Sequence, residues 1–315
     1  MDNENKIPNW LLVFNLALLI SCLLLFFLIY SALHPTHPVG KDAPKIVKTG
    51  VFDDVNLLAK AALVVDLQNN TVVYRKNSTA QLPLASLTKL MTALTALDLL
   101  PPDSKITIQR EFLESEGDSG LSPNESWNLK NLLDFSLVVS SNDGARSVAS
   151  VVGATLDKTK DFSLGRIDFI KQMNVEAKKI ALPQSYFLNE TGLDESVTES
   201  GGYGSADDVA KLVQYILKNH PDILESTKYS SISIKSLSGA HIAKNTDILA
   251  DRIPGLLASK TGYTALAGGN LVVAFDTSIG RPFIAVVLGS TESGRFTDMQ
   301  KLVDAAMKYA TTTAE

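Results

Sequence analysis

Six residues in this chain have types and spacing suited to covalent acyl chemistry. They are Ser86 and Lys89 in Ser86-Leu-Thr-Lys89, Ser140 and Asn142 in Ser140-Ser-Asn142, and Lys260 and Thr261 in Lys260-Thr-Gly262. A serine hydroxyl is a weak nucleophile near neutral pH, so it needs a base within hydrogen-bond reach and donors aimed at the oxyanion that forms. Residues three apart on a helix share a face, so a helix through Ser86 carries the Lys89 amine to the hydroxyl. If that helix start is buried, desolvation and the positive helix end both favour the neutral amine, which can take the serine proton.

The other two patterns need context to be read. S-x-N occurs three times, at Ser122-Pro-Asn124, Ser126-Trp-Asn128 and Ser140-Ser-Asn142. The first two sit among turn formers and read as capping or turn residues. The third follows the apolar run Leu132 to Val139, where polar residues ending a buried helix can face a cleft. K-T-G occurs twice, and the copy at Lys48 lies among prolines and polar residues. The copy at Lys260 ends an apolar run from Leu256. There Gly262 permits a backbone to approach closely, and a cation beside a hydroxyl can hold a carboxylate. His34, His37, His220 and His241 have no ligand spacing, so no metal site, cofactor or Ser-His-Asp triad is expected.

These residues need a scaffold, and the chain's 315 residues with 45% hydrophobic content suffice for a large core. Ala61 to Leu67 and Thr71 to Arg75 read as two strands joined by a turn at Gln68-Asn-Asn70. A helix over Ser86 to Leu99 follows from Leu87, Leu90, Met91, Leu94 and Leu97, and Pro101-Pro102 ends it. Helical stretches over Leu129 to Val152 and Ser205 to Asn219 make the middle mostly helical. Strand patterns return at Leu256 to Tyr263, Gly269 to Asp276 and Arg281 to Gly289, before a helix from about Thr297 to Tyr309. The expected fold is α/β of the α+β type. An antiparallel five-stranded sheet from both chain ends is flanked by helices, and a helical lobe over about residues 100–225 is inserted. The site would lie between sheet and lobe.

The amino-terminal part reads differently. Trp10 to Tyr30 is uncharged and about 31 Å long as a helix, close to the thickness of a bilayer's hydrocarbon core. It lacks a clean small-residue cleavage pattern, so an uncleaved transmembrane anchor over 10–30 is expected, after a cytoplasmic tail over 1–9. Residues 31–54, with Pro35, Pro38, Gly40 and Pro44, read as an extracytoplasmic tether, and the folded domain is expected over 55–315. A net charge of −5 carries no basic excess, which argues against a nucleic-acid partner. The single cysteine, Cys22, excludes an intramolecular disulfide and reads as a small hydrophobe.

The chain resembles the D-alanyl-D-alanine carboxypeptidases, the low-molecular-weight penicillin-binding proteins among the penicillin-recognising serine peptidases. The resemblance is carried by Pro83-Leu-Ala-Ser-Leu-Thr-Lys-Leu-Met-Thr-Ala-Leu94, Ser140-Ser-Asn-Asp-Gly-Ala145, Asn189-Glu-Thr-Gly-Leu-Asp194 and Lys260-Thr-Gly-Tyr-Thr264, and it covers about residues 55–310. It implies a β-lactamase/transpeptidase-like fold and removal of the terminal D-alanine from peptidoglycan stem peptides through an acyl-enzyme on Ser86. β-Lactams are then covalent inhibitors. Carried over, Lys89 is the acylation base, Ser140 relays protons to the leaving amine and Asn142 binds the substrate amide. Lys260, Thr261 and Gly262 line the cleft, the backbone N–H groups of Ser86 and Tyr263 form the oxyanion hole, and Arg295 helps hold the substrate carboxylate. Many family members continue into a β-rich domain and a C-terminal membrane helix, so here the N-terminal span would tether the domain to the membrane, on its extracytoplasmic side. D,D-Endopeptidase and transpeptidase activity share these motifs. A β-lactamase would need a further glutamate in an E-x-x-x-N setting, which is not found, and an inactive wall-binding module would not need to retain the four reactive side chains.

Overall fold

A computed structural model of the protein describes residues 45–46, 50–113, 117, 120–159 and 161–313, together with Leu19, Ser21, Leu24 and Leu25. The chain runs through β1 (Lys45–Ile46), β2 (Ala61–Asp66), β3 (Thr71–Lys76) and β4 (Leu82–Pro83) into α1 (Thr88–Leu99). Then come β5 (Lys105–Thr107), β6 (Ser126–Asn128), α2 (Leu129–Val138), α3 (Asn142–Leu156) and α4 (Phe162–Lys179). β7 (Tyr186–Phe187) and β8 (Gly202–Gly204) precede α5 (Ala206–Asn219), and β9 (Ser231–Lys235) and β10 (Ala240–Lys244) form a hairpin. β11 (Leu256–Thr264), β12 (Gly268–Asp276), β13 (Pro282–Ser290) and α6 (Gly294–Thr312) complete the order.

The main sheet has the order β1-β3-β2-β13-β12-β11. Its five long strands are antiparallel and come from both chain ends, and a sixth, two-residue strand pairs parallel to β3. Side chains alternate faces along a strand, so the sheet divides the core in two. On one face Leu63, Val65, Val272, Ala274, Ile284 and Val286 pack into the cluster that holds Leu90, Met91 and Leu94 of α1. On the other, Val64, Val273, Phe275, Phe283 and Ala285 meet Met299, Leu302, Val303 and Ala306 of α6. This double coverage is why β2 reads as a near-continuous apolar run with every residue buried. Its turn is set by Asp66, whose Oδ1 accepts from the amides of Gln68 and Asn69.

Three sequence expectations need correction. The tether ends earlier than residue 54. β1 pairs with Thr71 and Val72, and Phe52 is buried and stacks on Tyr74 at 5.4 Å between ring centroids. Pro44–Glu315 accordingly groups as one unit. The helix expected over Leu129 to Val152 is two helices. The chain breaks at Val139 to Ser141, where Ser140 takes φ +61°, and Ser141 caps α3 by accepting from the Gly144 amide at 2.9 Å. The sheet gains a sixth strand, and the β9–β10 hairpin and α4 carry no sequence pattern that was recognised. The anchor expected over 10–30 falls almost wholly outside the described residues. Among those described, no helix is long and apolar enough to cross a membrane.

Helices α3 and α4 cross at two glycines. A Cβ at Gly153 would lie 1.8 Å from the Gly165 carbonyl oxygen, and one at Gly165 would lie 2.3 Å from the Ala154 amide nitrogen. Gly165→Ala is therefore expected to destabilise the fold by roughly 1–3 kcal/mol, because backbone must shift to admit the methyl. Urea unfolding followed by circular dichroism checks this; an unchanged midpoint would contradict the close crossing.

Candidate active site

The nucleophile turn is built just before α1. Leu84 donates its amide to the Gly202 carbonyl, and Ala85 adopts φ +48°, a left-handed conformation that non-glycine residues rarely take. The turn Ala85–Leu87 leads directly into α1, leaving Ser86 half-buried and Lys89 one turn along the same face. Two glycines seat this turn. A Cβ at Gly192 would meet the Ala85 carbonyl oxygen at 1.9 Å, and one at Gly262 would lie 2.9 Å from the Leu84 carbonyl oxygen and 3.1 Å from the Ser86 nitrogen.

Lys89 is 2% exposed, and its Nζ touches three oxygens: Ser86 Oγ at 2.9 Å, Asn142 Oδ1 at 2.7 Å and the Thr191 carbonyl at 2.8 Å. Burial pushes its pKa from 10.5 down to about 7, with the nearby Glu190 carboxylate partly opposing the shift. The partner set fits a neutral amine. The two carbonyl oxygens can only accept, so they take the two remaining N–H bonds, and the lone pair is left for the Ser86 proton.

Lys260 repeats the theme from the sheet. It is 1% exposed, and its Nζ donates to Ser140 Oγ at 2.8 Å and to the Thr261 carbonyl at 2.9 Å. Burial lowers its pKa well below the ordinary lysine value, and the positive charges of Lys89 and Arg295 add to that, while Asp247 opposes it. Thr261 is buried, with its hydroxyl 2.5 Å from that of Thr246. β11 is an edge strand, so one set of its backbone groups faces away from β12 toward the nucleophile turn. Arg295 donates Nη1 to the Gly262 carbonyl at 2.9 Å and so braces this strand, while the Tyr263 side chain is exposed.

All three motifs thus meet: Lys89 joins Ser86 to Asn142, Lys260 joins Ser140 to β11, and Gly262 abuts the Ser86 amide. Among the described residues no cluster suited to a metal ion is found. Sequence reasoning named the Asn189-Glu-Thr-Gly stretch but gave its residues no role. Asn189 Oδ1 accepts from the Thr191 and Gly192 amides and the Thr191 hydroxyl, which fixes the carbonyl that holds Lys89. Glu190 is fully buried and paired with Arg166 at 2.8 Å. Thr246 and Asp247 behind β11 were missed altogether. Asn-Glu-Thr-Gly is a turn signal that could have led to the first group, whereas nothing in the sequence marks the second.

A half-buried serine beside a buried lysine, set between an antiparallel sheet and a helical lobe, is an arrangement suited to serine acyl chemistry. Residues 48–292 match the model of peptidase family S11, D-alanyl-D-alanine carboxypeptidase, and the chain belongs to that family. It is 30% identical over 256 residues to the D-alanyl-D-alanine carboxypeptidase DacF of Bacillus subtilis, covering 79% of this chain and 62% of that one. It is 31% identical to a D-alanyl-D-alanine endopeptidase of Haemophilus influenzae, over 68% of this chain and 70% of that one. Among solved structures, penicillin-binding protein D2 of Listeria monocytogenes in its ampicillin-bound form superposes with a TM-score of 0.68 and 28% identity, over 80% of this chain and 98% of that one.

Glu190 supplies a test of the site's electrostatics. Its charge favours the Lys89 ammonium, so Glu190→Gln should enlarge the neutral fraction and move the acidic limb of Ser86 acylation to lower pH. The pH dependence of Ser86 modification by a serine-directed acylating reagent measures this. A limb that stays put or moves upward would show that Glu190 does not act on Lys89.

Proposed function

We propose that this chain is a serine D,D-carboxypeptidase that removes the terminal D-alanine from peptidoglycan stem peptides. The observation that carries this reading is the buried Lys89 Nζ at 2.9 Å from Ser86 Oγ, with both of its other partners able only to accept. Neutral Lys89 takes the proton of Ser86 as Oγ forms a bond to the carbonyl carbon between the two D-alanines. The oxyanion is met by the backbone N–H groups of Ser86 and Tyr263, a role supported by the missing Cβ at Gly262, which lets β11 approach the Ser86 amide. Ser140, bonded to Lys260, relays the proton taken up by Lys89 to the leaving amine, which restores the neutral Lys89 and the Ser140 hydroxyl as the C–N bond breaks. Water then releases the shortened peptide from Ser86.

Asn142 orients the substrate amide, while the Lys260 and Thr261 side chains, with Arg295 behind them, make a positive end to the cleft for the terminal carboxylate. β-Lactams would acylate the same serine, a reading supported by the ampicillin-bound relative. Membrane attachment through residues 10–30, with the peptidase on the extracytoplasmic side, is part of the same proposal, resting on the uncharged stretch and on where the substrate lies.

The test is covalent labelling with a fluorescent penicillin and mass spectrometry of a pentapeptide substrate. Wild type should be labelled and should release one D-alanine, and Ser86→Ala should do neither. Lys89→Ala should slow acylation by about 10²–10⁴-fold, the usual contribution of general-base catalysis, with the fold retained. Labelling of Ser86→Ala at the wild-type level would overturn the assignment.

A further inference from the structure

The oxyanion donor at Tyr263 sits on a strand with a neighbour on one side only. β11 is the edge of the main sheet, so strand pairing alone does not fix its position against the nucleophile turn. The Gly262 carbonyl and the Tyr263 N–H belong to one planar trans peptide and point in opposite directions. Arg295 Nη1 holds that carbonyl at 2.9 Å and so sets the tilt of the peptide from one flank. The other flank is Thr264, and it is held by a carboxylate.

Thr264 is buried, and its hydroxyl donates to Asp194 Oδ1 at 2.9 Å, while Asp194 Oδ2 accepts from the Leu266 amide at 3.2 Å. The same hydroxyl accepts from the Ala267 amide at 3.1 Å, which closes the turn between β11 and β12 around one carboxylate. Asp194 lies 70 residues before Thr264, so this tie is tertiary and not part of the turn's own sequence.

The loop that carries Asp194 has a second task at its other end. There Asn189 Oδ1 accepts from the Thr191 and Gly192 amides, which places the Thr191 carbonyl on Lys89. Between the two ends Gly192 lies against the nucleophile turn, where a Cβ would come within 1.9 Å of the Ala85 carbonyl oxygen. Leu193 donates its amide to the Thr191 hydroxyl at 3.1 Å, and its carbonyl accepts from Asn189 Nδ2 at 2.9 Å, which stiffens the loop from within. Residues 189–194 therefore touch the base, the nucleophile turn and the strand end beside the oxyanion donor.

We infer that Asp194 is a positioning residue for the oxyanion hole, setting where the Tyr263 N–H lies relative to Ser86. The inference rests on the acyl-enzyme reading above and adds to it a residue that acts only through Thr264 and Leu266. Oxyanion donors are matched to the tetrahedral intermediate more than to the planar carbonyl, so a displaced N–H costs the transition state more than the ground state. Lys89 is served from the Asn189 end of the loop, so its titration should be indifferent to Asp194.

The test measures kcat/KM for a pentapeptide and the inhibition constant of a peptide boronic acid, using the full chain in detergent, with active sites counted by fluorescent-penicillin labelling carried to completion. The boronate forms a tetrahedral adduct on Ser86 with one oxygen at the oxyanion position. Asp194→Ala should lower kcat/KM and boronate affinity together by about tenfold, less than the roughly 10²–10³-fold cost of deleting a donor outright. The acidic limb of its pH profile should stay in place. Asp194→Asn should restore both quantities, because its oxygen can accept from the Leu266 amide and its NH2 group can donate to the Thr264 hydroxyl. Thr264→Val breaks the same tie from the other side and carries the test if Asp194→Ala does not fold. It should match Asp194→Ala, and the double variant should be no worse than either single one. Unchanged boronate affinity, a loss that vanishes when rates are normalised to labelled sites, or a displaced acidic limb would overturn the role of Asp194 alone. A wild type that reacts with neither the boronate, the pentapeptide nor penicillin would overturn the acyl-enzyme reading itself, and this inference with it.

Discussion

Keeping the Lys89 amine out of water is the constraint around which the cleft is organised. Burial pushes the Lys89 pKa from 10.5 down to about 7, because a low-dielectric site disfavours the charged form. The fold supplies the seal from three directions. α1 carries the residue into the core beside Leu90 and Met91, the helical lobe brings Asn142, and the Asn189–Gly192 turn brings the Thr191 carbonyl. Each oxygen satisfies a hydrogen of the neutral amine, so burial does not leave an orphaned polar group. Solvent reaches the half-buried hydroxyl of Ser86 and not the base behind it.

The second buried lysine follows the same logic with a different task. Lys260 sits on the edge strand and reaches across to Ser140, while Lys89 reaches from α1 to Asn142, so the two lysines tie the sheet and α1 to the helical lobe. A positive charge on either disfavours a charge on the other, so the field at this end of the cleft carries at most one lysine charge. Arg295 adds to that field while holding the Gly262 carbonyl, and Asp247 tempers it from behind. Close approach makes the geometry possible. At Gly192 and Gly262 a methyl would strike the backbone of the nucleophile turn, so neither position tolerates a side chain without moving Ser86.

Much of this was legible in the sequence wherever a period or a spacing was involved. The i, i+3 relation of Ser86 and Lys89, the strands at both chain ends and the last helix follow from local patterning, and they recur in the structure. Breaks in pattern were harder. The turn at Ser140 lies between two apolar helical runs and is set by a capping serine and a left-handed residue, so periodicity alone carried one helix through it. Phe52 and β1 belong to a stretch rich in proline and polar residues, where a few contacts with β3 and Tyr74 outweigh composition. Thr191, Thr246 and Asp247 act through a backbone carbonyl or from behind a strand, and such roles arise only from tertiary placement.

The central claim is that Lys89 is an amine, not an ammonium, at the pH where the enzyme works. It is tested most directly by titrating the protein labelled with [13Cε]lysine and following the Lys89 resonance by NMR, with Lys89→Ala providing the assignment. A titration midpoint near 7 is expected, far below the bulk of the lysine signals. A Lys89 resonance that stays in the ammonium position until pH 10 would contradict the account, whatever the activity of the protein.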